Sequence, residues 1–381
     1  MSSTLTISGI SEFQDKRQSS EVPSLANQFR IADLHDLVAV ESNRKFLLPL
    51  LDFFIRSYAT LHHAEYVGDQ ETLEDNILKK GNTFRGLVVY SQTNLPVAYA
   101  VYYPMINDSG ERGNYIEDAY VTESFRGHGV MPFLYHTLAK RCIEEGAKYL
   151  QWSTDKRNFP FQGFSRKIEA TPLDLKTYGA NLLLDEQFEP KPVHLRTAWE
   201  ETRFLTVPLE AKHVNMVKLF GITPDILRKT GDLDFKGFVT FAAEDLMHPV
   251  AITPGWPHMS TFRLQHGLVL EHPSYVGDNS LTDQDKVAIT LSIIKGAREY
   301  AGANNYKYMK WHLKNDQSVP AHLLRDELEL PIDTMLDTKE SEMQVYGLRN
   351  GKLRKLSAQK KARSIEIPAN NAIGARPPER R

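Results

Sequence analysis

Residues 115–131 carry the most legible chemistry of this chain: Tyr-Ile-Glu-Asp-Ala-Tyr-Val-Thr-Glu-Ser-Phe-Arg-Gly-His-Gly-Val-Met. An apolar strand with two adjacent carboxylates, Glu117 and Asp118, runs into a turn punctuated by Gly127 and Gly129 and then into a helix opening near Met131. Glycine accepts the left-handed backbone that gathers successive N–H groups into one concavity, and the helix start adds the positive end of its dipole. Such a turn is an anion cradle of pyrophosphate size. Pro132 has no N–H to offer but suits the first helical turn. Glu117 and Asp118 are strand neighbours, so a regular pleat predicts side chains on opposite faces. The histidines His35, His62, His63 and His136 show no paired metal-ligand spacing, and no metal site is read from them.

The elements that must hold these residues occur twice. Phe84-Arg-Gly-Leu-Val-Val-Tyr90 is answered by Phe235-Lys-Gly-Phe-Val-Thr-Phe241, Pro96-Val-Ala98 by Pro249-Val-Ala251, and Lys148-Tyr-Leu-Gln-Trp152 by Lys307-Tyr-Met-Lys-Trp311. The offsets of 151, 153 and 159 drift slowly, as loop insertions in a tandem duplication would make them. In the first unit β-branched and aromatic runs predict strands near 84–91, 96–104 and 114–121, a helix over 131–146, a strand at 148–153, a short helix near 159–168 and further strand at 171–184. The second unit repeats the pattern near 236–242, 248–253, 262–271, 282–302 and 307–313. A hairpin followed by a strand–helix–strand crossover gives the fold class as α/β (α+β). Each unit is then a mixed, mostly antiparallel sheet with flanking helices and a splayed parallel strand pair. The expected boundaries are a flexible N-terminal segment over 1–28, a first unit over 29–187, a charged linker over 188–206, a second unit over 207–351 and a basic flexible tail over 352–381.

A formal net charge of −2 argues against a protein that coats itself with nucleic acid, and 381 residues exceed one average core. The single cysteine, Cys142, allows no intrachain disulfide. With no apolar leader in the first thirty residues, and with Phe46–Ile55 broken by Pro49 and Asp52, the expectation is a cytoplasmic protein without membrane contact.

Arg126-Gly-His-Gly129-Val-Met131 resembles the acetyl-CoA signature Arg/Gln-x-x-Gly-x-Gly/Ala of the Gcn5-related N-acetyltransferase (GNAT) superfamily, with Met131 departing at the last small position. The surrounding Tyr-Ile-Glu-Asp-x-x-Val…Phe-Arg-Gly-x-Gly is similar, more narrowly, to the diamine and polyamine acetyltransferases. The resemblance covers about 84–185. In the second unit Tyr275-Val-Gly-Asp-Asn-Ser280 lacks the spacing, so that unit looks like a degenerate copy.

The resemblance implies acetyl-CoA as co-substrate. Its pantetheine arm would lie on the backbone of Ala119, Tyr120 and Val121, its pyrophosphate on the turn of Arg126, Gly127, His128, Gly129, Val130, Met131 and Pro132, with Asn158 in the same set. It implies transfer to a primary amine, Glu117 and Asp118 recognising a small cationic acceptor and accepting its proton. Aligning Asn158 and Pro160 with the family's Asn-x-Pro places Ser165 where a tyrosine acid often stands, with Tyr178 a substitute; the helix near 43–62 would border the acceptor. Two alternatives remain open: an acceptor amine on a macromolecule, such as a modified base in nucleic acid or a protein lysine, and an inactive relative that binds CoA or a protein partner. No oligomeric state follows from the sequence.

Overall fold

The computed structural model describes residues 29–61, 85–107, 111–173, 175–181, 203–209, 236–260, 265–276, 280–314 and 343–357, with isolated positions at 66, 68, 70, 71, 73, 74 and 213. The first unit opens with β1 (Phe29–Asp33), α1 (Leu34–Ala39) and α2 (Glu41–Leu61), followed by β2 (Arg85–Ser91), β3 (Pro96–Ile106) and β4 (Arg112–Val121). After a single 3-10 turn come α3 (Val130–Glu144), β5 (Tyr149–Asp155), α4 (Phe159–Lys167), β6 (Thr171–Pro172) and β7 (Leu175–Asn181). The second unit holds β8 (Phe204–Pro208), β9 (Lys236–Ala242), β10 (Asp245–Ser260), β11 (Gln265–Leu270), β12 (Ser274–Tyr275), α5 (Asp283–Ala303), β13 (Tyr308–Lys314), β14 (Met343–Arg349) and α6 (Asn350–Ser357).

Two mixed sheets result, as the α/β duplication requires. The first runs β1-β2-β3-β4-β5-β14-β6, and the second runs β7-β13-β11-β10-β9-β8 with β12 paired to β10. Equivalent residues pair equivalently. Gly86 opposes Val101 as Gly237 opposes Pro254, and the parallel pairs begin at Gly113 beside Tyr149 and at Gly267 beside Tyr308. Both glycines are forced by the same close approach, because an added Cβ would overlap the ring of Tyr149 or Tyr308.

The sheets do not respect the boundary expected at 188–206. β7, from the first half, closes the second sheet against β13, and β14, from the second half, closes the first sheet against β5. The exchange is reciprocal, since Tyr178 opposes Trp311 while Tyr346 opposes Trp152. The expected basic tail is corrected at its start: residues 352–357 belong to α6, whose Leu356 is buried in the first-unit core and whose Leu356 carbonyl lies 2.6 Å from His136 Nδ1 on α3. Residues 1–28, 62–65, 182–202 and 358–381, with His62 and His63 among them, lie outside the described residues.

The first core lies between the sheet and α3, where Phe133, Leu134, Leu138 and Cys142 meet Ile116, Leu150 and Trp152. α2 covers the other face, setting Leu51, Phe54 and Ile55 on Val88, Tyr99 and Val101. α5 repeats the α3 packing in the second unit through Ile289, Ile293, Ile294 and Ala297. A fourth apolar cluster joins the units through Tyr103, Met105, Tyr115 and Tyr149 on one side and Trp256 and Val269 on the other.

Candidate active site

β4 and β5 pair in parallel only from Gly113/Tyr149 to Ile116/Trp152. Beyond that point β4 stays bound to β3, through Ala100/Ala119, Tyr99/Tyr120 and Ala98/Val121, while β5 stays bound to β14. The facing edges of Glu117–Val121 and Ser153–Asp155 therefore part, leaving a slot whose near wall is the backbone of Ala119, Tyr120 and Val121. An extended ligand entering there meets unpaired strand edges on both sides.

The register of β4 slips at this point, because Tyr102 opposes Ile116 and Val101 opposes Asp118. Glu117 is thus the extra residue of a β-bulge. The bulge corrects the expectation that the two carboxylates face opposite ways. Glu117 accepts a hydrogen bond from Tyr103 at 2.7 Å, and Tyr103 stacks on Tyr115; Asp118 acts on Tyr58 and Tyr99, on the α2 side of the same sheet face.

Their environments differ. Glu117 points into the second unit, with Lys310 Nζ 3.0 Å from Oε1 and His258 Nε2 2.8 Å from Oε2, the latter off the direction of a well-formed hydrogen bond. The far nitrogen of His258 meets the Tyr308 hydroxyl, and its ring stands edge-on to Tyr103 at 4.7 Å. Burial pushes the Glu117 carboxyl up, but His258, Lys310 and Tyr103 outweigh it and hold it well below the ordinary carboxylate range. Burial brings His258 down to about 4, so its ring is neutral near pH 7. A carboxylate so strongly held is a weak proton acceptor.

Asp118 is 4% exposed and lies among aromatic rings. Phe54 stacks on Tyr99 at 6.1 Å, Tyr120 lies 5.9 Å from Phe54, and Tyr58 meets Tyr120 edge-on at 6.0 Å. Burial first, then the charge of Asp118, raises the Tyr58 hydroxyl well above its ordinary value and keeps it protonated. Tyr58 belongs to this aromatic cluster and was left unnamed by sequence reasoning within the 43–62 helix; it stands in the last turn of α2.

The glycine turn has the geometry its composition predicts. Gly127 and Gly129 take φ of 78° and 85°, and Gly129 caps α3 without a side-chain cap. Among the described residues, no backbone carbonyl accepts from the N–H groups of Gly127, His128, Gly129, Val130 or Met131; the neighbouring bonds are Arg126 to Glu123 and Phe133 to Gly129. Five successive donors stand open at the positive end of a helix, and α3 has no acidic residue in its first turn. Arg126 bonds the Val121 carbonyl at 3.2 Å and lies over the Tyr120 ring at 5.7 Å, while His128 Nδ1 lies 2.9 Å from the Arg126 carbonyl. Met131 packs against the first core, which draws its side chain away from the exposed donors. The turn therefore fits a pyrophosphate despite the larger residue.

Two other expectations are corrected. Ser165 is fully buried, donating to the Phe161 carbonyl at 3.0 Å and accepting from Trp152 Nε1 at 3.3 Å, so its hydroxyl is occupied in the core. Tyr178 lies on β7 within the second sheet. Asn158 caps α4 by accepting from the Phe161 N–H at 3.3 Å, which leaves its amide NH2 for a ligand.

Residues 50–168, from mid-α2 to the last turn of α4, match the acetyltransferase (GNAT) family. The first unit is a GNAT acetyltransferase domain. Acyl transfer from an acyl-CoA is the chemistry of that family.

Among solved structures, a GNAT from Sphaerobacter thermophilus is 9% identical over 89% of this chain and 98% of its own, at a TM-score of 0.46. A tandem GNAT protein of clavulanic acid biosynthesis is 9% identical over 84% and 98%, at 0.43. The glucosamine N-acetyltransferase region of a fungal multidomain β-N-acetylglucosaminidase is 9% identical at 0.44, over 84% of this chain and only 38% of that longer one. No curated protein matches the chain in sequence. Among the described residues no helix is long and apolar enough to cross a membrane.

Proposed function

We propose that the GNAT domain transfers the acetyl group of acetyl-CoA to the primary amine of a small cationic acceptor, with Asp118 as the proton acceptor. The single observation behind this reading is a buried carboxylate set among Phe54, Tyr58, Tyr99 and Tyr120 beside the parted strands. A carboxylate among π faces attracts an ammonium group twice over, by charge and by the ring quadrupoles. Once the ammonium is seated, Asp118 takes one proton, directly or through a water molecule, and the amine gains the lone pair it needs.

Backbone N–H groups at the bulge polarise the carbonyl that the amine attacks, and the N–H groups of Gly127 to Met131 hold the pyrophosphate so that the attack is made from a fixed position. Acetyl-CoA supplies an acyl carbon whose C–S bond breaks as the C–N bond forms, releasing a thiolate. The nitrogen sheds its second proton as the C–S bond breaks, and Tyr58 relays it, giving its own proton to the thiolate and taking up the nitrogen's, in place of the occupied Ser165.

Calorimetry with acetyl-CoA, paired with thiol release over a panel of amines, tests the reading. Binding together with thiol release that favours polyamines over neutral amines of equal size supports it. Thiol release with protein or nucleic-acid amines alone moves the acceptor to a macromolecule. Neither binding nor release removes the activity altogether.

A further inference from the structure

We infer that the second unit is a positioning element for the first unit's cleft: Lys310 anchors Glu117 across the interface, with His258 packed against the same carboxylate, and so fixes the β4 bulge that presents Asp118 and the open strand edge. The inference rests on the acyl-transfer reading for its kinetic arm, and on geometry alone for the rest.

Three observations meet at Glu117. It is the extra residue of the bulge, so whatever holds its side chain sets how the strand bends away from β5. Its carboxylate is held by Lys310 at 3.0 Å and by Tyr103 at 2.7 Å, and it faces His258 at 2.8 Å, which Tyr308 braces from behind. The clamp is also one-sided. Glu271 is the second-unit counterpart of Glu117, but the first-unit counterparts of His258 and Lys310 are Met105 and Gln151, and neither carries a charge. A contact inherited only from duplication would be the same in both directions; this one serves the first unit.

The anchor lies on stiff ground. Lys310 stands on β13, between β11 and the exchanged β7, and His258 on β10 opposite Gly267. The apolar contact of Tyr103, Met105, Tyr115 and Tyr149 with Trp256 and Val269 closes around it. The titratable groups that face Glu117 are Tyr103 from β3, Tyr115 and Asp118 from β4, Tyr58 from α2, His258 from β10, and Tyr308, Lys310 and His312 from β13. Lys310 is the cation bound to it directly.

The test uses the full chain with Lys310→Met, Lys310→Arg and Glu117→Gln. Lys310→Met is expected to speed amide hydrogen exchange over residues 115–121 about tenfold. It is also expected to lower kcat about tenfold with KM for acetyl-CoA unchanged, and to move the acid limb of the kcat profile to higher pH, because Asp118 then titrates beside a Glu117 charge that has lost its ammonium partner. Lys310→Arg restores all three. Glu117→Gln keeps the Tyr103 hydrogen bond, retains the acid limb and lowers kcat by less than about tenfold.

Unchanged exchange at 115–121 in Lys310→Met overturns the inference, as does a loss of thermal stability with kcat and pH profile intact. If Lys310→Met does not fold, Glu117→Gln decides: loss of the acid limb with kcat down about a hundredfold or more would make Glu117 the base and overturn it. If the wild-type chain releases no thiol, the function fails while the exchange arm still judges the clamp.

Discussion

The N-termini of α3 and α5 occupy equivalent places in the two units and are finished in opposite ways. At α3 a glycine with positive φ leaves five N–H groups open, and the first turn of the helix holds no acidic residue. At α5 Thr282 and Asp285 close a reciprocal capping box, Asp283 adds a second charge in the first turn, and Arg203 binds Asp285 at 2.6 Å. A helix start that satisfies its own donors and places acids on its dipole has no room for a phosphate. The strands leading to the two helices are much closer in design. The one-residue slip of β4 recurs in the second unit, where Gly255 opposes Leu270 and Ile252 opposes Ser274. Duplication thus kept the bent strand in both units, and what separates them is the chemistry at the helix start and the residues on the bend: Glu117-Asp118 in one, Glu271-His272 in the other.

Four measurements would break or sharpen that contrast. The largest effect is expected from Asp118→Asn, which should lower kcat by about 100- to 1,000-fold with little change in acetyl-CoA affinity, whereas His272→Asn at the equivalent place of the second unit should leave kcat within about twofold. Equal losses from both variants would mean that the second unit also turns over. Next, Gly129→Val forces a β-branched residue to a φ of 85°, and should weaken acetyl-CoA binding by about 30-fold in calorimetry. Its partner experiment, Asp285→Asn, should leave that affinity unchanged while removing about 1 kcal/mol of stability through the cap.

Gly113→Ala and Gly267→Ala each drive a methyl into a tyrosine ring, and denaturant titration should show a comparable destabilisation of about 1–3 kcal/mol for each. A large inequality would show that the two closures are no longer equivalent. The smallest effect concerns pH. His258 falls from its unfolded range to about 4 in the folded chain, so its contribution is complete above about pH 6.5 and is lost as pH drops towards 4, where the unfolded state binds the proton first. Glu117, also lowered, adds a loss of the same sign at still lower pH. Urea unfolding at pH 7 and pH 5 should differ by about 1–2 kcal/mol, and the difference should shrink in His258→Gln.

The duplication, the element types and the cradle were legible because each depends on local signals: glycine at 127 and 129, apolar periodicity in α3 and α5, and β-branched runs in the strands. Glu117, Ser165 and the domain boundary were misread because each is decided by residues far away in sequence. A strand pleat places Glu117 and Asp118 on opposite faces, and only the register with β3 reveals the extra residue. Ser165 aligned with a catalytic position, yet the indole of Trp152 reaches it through the core. The exchanged strands did leave a trace, since Lys176-Thr-Tyr-Gly179 and Gln344-Val-Tyr-Gly347 are a fourth internal match. That match fixes kinship between strands and says nothing of which sheet each one joins.

The exchange of β7 and β14 also governs how the protein is made. The sheet that carries the cleft lacks its inner neighbour to β5 until Met343–Arg349 has left the ribosome, and α3 lacks the helix that covers His136 until the residues just after it follow. A growing chain therefore presents an unpaired β5 edge throughout synthesis of the second unit, a template for wrong pairing that a chaperone or rapid downstream folding must shield. Cutting the gene between the halves would separate each sheet from a strand it needs, so the two units form one cooperative unit of inheritance, expression and folding.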